Sequence, residues 1–189
     1  MLIYLHGFNS SPGSHKAQVL KAYLQGRGLG ALYACPALPD RPDEAVHAIE
    51  LAMAGRDPRM VTLVGSSLGG YYATWFVEKT GCRAVLINPA ITPHIGLEAY
   101  LGTQKNLHTG EPYELTRAHL DGWRRLLVER IDAEKYLVLL ETGDEVLDWR
   151  AAARKYEGAR MSVRDGGDHT LQAFEKHLPR ILDFAGIRP

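Results

Sequence analysis

Val61-Thr62-Leu63-Val64-Gly65-Ser66-Ser67-Leu68-Gly69-Gly70-Tyr71-Tyr72-Ala73-Thr74-Trp75-Phe76 reads as a strand entering a helix through a glycine-rich corner. The apolar, β-branched run 61–64 fits a buried strand, and the residues from Gly70 onward begin a helix. The corner satisfies G-x-S-x-G: Gly65 and Gly69 flank Ser67 symmetrically, whereas Ser66 lacks that framing. A serine on so sharp a turn is held in strained geometry with its hydroxyl exposed. The helix N-terminus behind it points backbone N–H groups toward negative charge developing beside that hydroxyl. A glycine-rich loop that only packs, or that holds a phosphate, is the competing reading, and the rest of the chain has to decide.

Working outward, residues 2–5, 31–35, 84–87 and 136–140 also fit buried strands, with 161–163 a less apolar sixth. They lack polar alternation, as expected where helices cover both faces of a parallel sheet. Between them lie helical stripes. Asp40 is a plausible N-cap ahead of Pro42, Asp43 and Glu44, followed by Ala45, Val46, Ile49, Ala52 and Met53 on one face. Leu171, Phe174, Leu178, Ile181 and Leu182 form another stripe, which Pro179 is expected to kink or split. The implied architecture is α/β, with about six mostly parallel strands and helices on both faces. Residues 88–135 contain no convincing strand; 103–112 is rich in turn formers and 116–130 looks helical. This stretch is expected to be a lid-like insertion over the sheet's edge.

Composition narrows the function. The chain has 189 residues with 22 Lys+Arg against 22 Asp+Glu, which suits one domain over residues 1–189 and offers no basic excess for nucleic acid. No apolar run approaches a membrane span and the N-terminus lacks a signal-like segment, so a cytoplasmic protein is expected. Cys35 and Cys82 make neither a disulfide framework nor a metal-site spacing.

A serine nucleophile needs a general base. Of eight histidines, His169 is best placed, in Asp165-Gly166-Gly167-Asp168-His169 after the last strand and before the last helix. His6 follows the first strand and reads as a loop buttress; His15, His47 and His177 fall on helices; His94, His108 and His119 fall in the insertion. The imidazole needs an acid to fix its tautomer. Asp144, in Thr142-Gly143-Asp144-Glu145 past strand 136–140, is the first choice, with Asp148 the main competitor and Glu145 a weaker one. Ser67, Asp144 and His169 then follow the chain order of α/β-hydrolases, each at the carboxyl end of a strand. Leu5-His6-Gly7-Phe8 is placed to supply an oxyanion loop, with the N–H groups of Phe8 and Leu68 as donors. Tyr71, Tyr100 and Trp123 are candidate substrate contacts.

Tyr4-Leu5-His6-Gly7-Phe8-Asn9-Ser10-Ser11-Pro12, the Ser67 segment, Asn88-Pro89-Ala90, Thr142 to Asp148, and Gly166-Gly167-Asp168-His169 together resemble the YqiA-type family of small bacterial esterases. Tyr100-Leu101-Gly102, Thr109-Gly110 and Tyr113 in the insertion are similar to that family too. The resemblance covers nearly the whole chain. It implies a minimal α/β-hydrolase acting on carboxylic esters, with acyl thioesters a further possibility, through Ser67, Asp144 and His169 and with no metal or organic cofactor. The expected partner is a small acyl ester or thioester. Because the chain opens directly on the His6 strand, the sheet is expected to lack the usual preceding antiparallel pair and to have an exposed first edge. Rival readings are a ligand-binding member that hydrolyses nothing, or an acyltransferase or lactonase using the same three residues.

Overall fold

Six short parallel strands carry the structure, a computed structural model describing residues 1–188. They are β1 (Leu2–Leu5), β2 (Tyr33–Ala34), β3 (Thr62–Ser66), β4 (Arg83–Ile87), β7 (Tyr136–Glu141) and β8 (Arg160–Arg164), in the order β2-β1-β3-β4-β7-β8. Every neighbouring pair is parallel. The opening strand is not the edge: β1 lies between β2 and β3. The edge falls to β2, which is shorter than the expected 31–35 because a 3-10 turn takes Gly30–Leu32.

Alternate residues of the strands feed two cores. Ile3, Leu5, Leu63, Leu86, Val138 and Leu140 face α2 (Pro42–Met53), α3 (Leu68–Thr80), α5 (Arg117–Arg125) and α6 (Trp149–Lys155). Leu2, Tyr4, Val64, Val85, Ile87, Leu137 and Leu139 face α1 (His15–Gln25) and α7 (Phe174–Phe184). Burial on both sides explains the unbroken apolar runs.

Five further expectations need correction. α2 is preceded by Arg41 without a side-chain cap, because the Asp40 carboxylate faces His119 Nε2 at 3.1 Å instead. α7 is not split at Pro179, since Phe174, Leu178, Ile181, Leu182 and Phe184 bury one face along its whole length. Leu171 is buried but lies ahead of that helix with a φ of 54°. The insertion does contain strands: after the single turn α4 (Pro93–Gly96), β5 (Gly102–Lys105) and β6 (Pro112–Leu115) pair antiparallel. Their signal is a polar alternation, Gln104 and Tyr113 inward against Thr103 and Glu114 outward, which a search for apolar runs passes over. The helical part of the insertion, α5, is shorter than the expected 116–130.

Candidate active site

The corner after β3 is as tight as its composition suggests. Ser67 has φ 54° and ψ −121°, a conformation an L-residue adopts only when its surroundings impose it. The surroundings do. A Cβ on Gly69 would lie 2.0 Å from the Leu5 carbonyl oxygen, and one on Gly65 would lie 2.4 Å from the Gly69 oxygen. The two glycines let α3 close down on β1 and β3. The Ser67 N–H donates to Ile87 O at 3.0 Å, and the Ser67 carbonyl accepts from Ala90 N–H at 3.1 Å.

His169 comes to the same carboxyl end of the sheet on the loop after β8. Its Nδ1 lies 2.8 Å from Asp144 Oδ2 and 3.0 Å from Oδ1, and its backbone N–H donates to Glu145 Oε2 at 3.0 Å. Asp144 Oδ1 also accepts from the N–H groups of Val146 and Leu147, both at 2.9 Å. Burial alone would raise the Asp144 carboxyl, but the His169 bond and the two N–H donors outweigh it and hold the group below the usual carboxylate range. A carboxylate so held keeps the ring proton on Nδ1 and leaves Nε2 as the acceptor. Asp148 is elsewhere: it caps α6, accepting from Arg150 N–H at 3.0 Å, and faces Arg150 and Arg154.

Ser67 and His169 line one cavity of about 470 Å³, which also takes in Gly7, Phe8, Asn9, Lys16 and His108. Among the described residues no hydrogen bond joins the Ser67 hydroxyl to the imidazole, although both line this cavity. The loop after β1 presses against the serine, so that a Cβ on Gly7 would meet Ser67 Cβ at 3.2 Å. Leu68 opens α3, so its N–H has no intrahelical acceptor. The Phe8 N–H donates to no backbone carbonyl among the described residues. His6 accepts from Leu38 N–H through Nε2 at 3.0 Å, which puts its proton on Nδ1, toward Gly7 O at 3.1 Å. Burial lowers its pKa, so it stays neutral and supports the loop from behind.

A second cavity of about 600 Å³ shares Gly7, Phe8, Asn9 and Ser10 with the first and continues past Leu38, Leu68, Tyr113 and Trp123. Trp123 lines it while donating to Tyr72 Oη at 2.7 Å. Tyr100, another candidate contact, is exposed and lines neither cavity, sitting edge-on to Phe8 with ring centroids 6.5 Å apart. Tyr71 lines neither cavity: it is buried, and its hydroxyl donates to the Trp123 carbonyl at 2.6 Å. Sequence reasoning gave no role to Asn9, Asn88 or the start of α1. The four non-glycine residues of positive φ among those described are Asn9, Ser67, Asn88 and Leu171. Three line the Ser67 cavity, and Asn88 bonds the His169 loop. Asparagine just past a strand's carboxyl end is the one signal that pointed there.

Sheet order, two helical layers and a serine at the corner after β3 define an α/β-hydrolase fold. Solved structures agree, at sequence identities that speak for fold alone. Mouse alpha/beta hydrolase domain-containing protein 10 is similar with a TM-score of 0.70 at 15% identity, covering 96% of this chain and 87% of that one. Est1E from Butyrivibrio proteoclasticus gives 0.69 at 16%, covering 98% and 88%. A monoacylglycerol lipase from Paleococcus ferrophilus gives 0.68 at 16%, covering 97% and 93%. Within that fold the chain belongs to the UPF0227 family, described as an uncharacterised protein family, whose model matches residues 1–186. UPF0227 proteins of Yersinia pseudotuberculosis and Yersinia pestis are each 26% identical over 97% of this chain and 98% of their own. This is the family that the YqiA-type motifs indicated. Among the described residues no helix is long and apolar enough to cross a membrane.

Proposed function

We propose that the protein is a serine hydrolase of carboxylic esters, with acyl thioesters within its reach. The observation that carries this is the His169 ring, bound through Nδ1 to Asp144 and facing the cavity that holds Ser67. In this reading His169 Nε2 takes the hydroxyl proton as Ser67 Oγ attacks the acyl carbonyl. The N–H groups of Phe8 and Leu68 receive the oxyanion, and Asp144 stabilises the imidazolium. His169 then protonates the leaving alkoxide or thiolate, and a water deprotonated by the same ring releases the acid from Ser67. The acyl part extends from Ser67 past Phe8 toward Trp123. Tyr71 contributes by holding Trp123 rather than by touching substrate.

The test is intact-protein mass after exposure to a fluorophosphonate, with the modified residue mapped. One adduct on Ser67, absent from His169→Ala, together with release of acid from a p-nitrophenyl ester, is the expected outcome. Ester turnover above about a tenth of wild type in Ser67→Ala would refute it, because loss of an acylated serine costs several orders of magnitude.

A further inference from the structure

The nucleophile and the base are carried by loops more than a hundred residues apart in sequence, yet one tetrapeptide touches both. Ile87-Asn88-Pro89-Ala90 leaves the carboxyl end of β4. Its Ile87 carbonyl accepts the Ser67 N–H at 3.0 Å and its Ala90 N–H donates to the Ser67 carbonyl at 3.1 Å, so the serine backbone is held from both sides. Asn88 is 2% exposed. Its Nδ2 donates to the carbonyls of Asp168 and His169, both at 3.1 Å, and its Oδ1 accepts the Glu141 N–H at 3.1 Å. Its own N–H donates to Leu139 O at 3.0 Å.

On the far side of the same loop, Glu141 Oε2 accepts the Asp168 N–H at 2.9 Å and Glu145 Oε2 accepts the His169 N–H at 3.0 Å. Asp168 and His169 are therefore each held at the carbonyl by Asn88 and at the N–H by a glutamate carboxylate. Asn88 adopts a φ of 40° to do this, in a region asparagine tolerates better than most L-residues. A hydrophobic residue at this position would satisfy neither carbonyl.

Taking the Ser67–His169 reading as its premise, we infer that Asn88 is a positioning residue that sets where the His169 ring stands relative to Ser67. It acts through the backbone of the histidine loop and touches no reacting atom. A ring misplaced by about an ångström costs on the order of a hundredfold in rate.

Two variants separate this role from stability. Asn88→Gly removes the amide while relieving the positive φ. Asn88→Asp keeps the shape and the Oδ1 acceptor but turns an oxygen toward the two carbonyls. Both are to be compared with wild type by thermal melting, steady-state hydrolysis of a p-nitrophenyl ester, and the low-field NMR resonance of the His169 Nδ1–H bound to Asp144. The expected result is a folded protein with kcat lowered about a hundredfold, KM little changed, and that resonance broadened. A folded variant with kcat within about threefold of wild type and a sharp resonance would overturn the inference. Failure of both variants to fold would overturn it as well, since the amide would then serve stability. Ser67→Ala and His169→Ala run alongside: if either kept full turnover, the premise would fall, whereas their inactivity beside an active Asn88→Gly would sink the positioning role alone.

Discussion

At the scale of single residues, the acid partner of His169 is where chemistry and chain position part. Asp144 and Asp148 both follow β7, but one carboxylate meets the imidazole at 2.8 Å and the other caps a helix. Asp144→Asn is expected to lower kcat by about 10³–10⁴-fold, because an amide there stabilises the wrong tautomer. Asp148→Asn should leave both kcat and stability essentially unchanged, because an asparagine Oδ1 can accept the Arg150 N–H as the carboxylate does. Equal losses of kcat in the two would contradict the assignment. Asp144 also has a signature in stability. Its carboxyl lies below the usual range in the folded chain, so its contribution is complete above the ordinary carboxyl value of about 4. That contribution disappears as pH falls through the lower folded value.

Among the elements, the β5–β6 hairpin is tied to the loop that carries the proposed oxyanion donor. Tyr113 Oη donates to Asn9 Oδ1 at 2.7 Å, Asn106 Nδ2 donates to Ser10 O at 2.9 Å, and Leu107 N–H donates to Asn9 O at 2.9 Å. Asn9 is held at a φ of 52° within this lattice of bonds. Tyr113→Phe removes one tie, the donor to the half-buried Asn9 Oδ1, at a local cost of about 1 kcal/mol. Hydrogen exchange is expected to quicken in residues 102–115 and 7–10 together, with β3 and β4 unchanged. Acceleration confined to the hairpin would mean that the two segments are not coupled. The hairpin also shows how the insertion escaped a reading by apolar runs. Its strands are half-buried and polar, and their pairing partner is each other rather than the main sheet.

For the whole molecule, acid should weaken the fold well before the carboxylates titrate. Burial lowers the pKa of His6, of His94 and of His177, so each stays neutral in the folded chain where an unfolded histidine would take a proton. The unfolded state then binds more protons below about pH 6.5, and stability rises with pH through that window. Tm should therefore fall steadily as pH drops from about 7 toward 5. His6→Gln, which can still accept the Leu38 N–H, should flatten part of that slope. A Tm independent of pH over this range would contradict the burial argument.

Much of this architecture could be read from the chain because its causes are local. A buried parallel strand must be apolar on both faces, so five of the six strands announced themselves, and G-x-S-x-G marks a corner that only small residues can turn. The order of Ser67, Asp144 and His169 along the chain followed from placing each after a strand. Contacts across the fold were a different matter. Chain position favours Asp144 over Asp148 without settling the pair, and nothing local makes β2 rather than β1 the edge or turns Asp40 from a helix cap into the partner of His119. Asn88 is the clearest case. In sequence it is an asparagine before a proline, and only the packing of β4 beside β7 puts its amide under the His169 loop. Residue type and period determine what a segment can become, whereas hydrogen bonds between segments remote in sequence exist only once the sheet has brought them together.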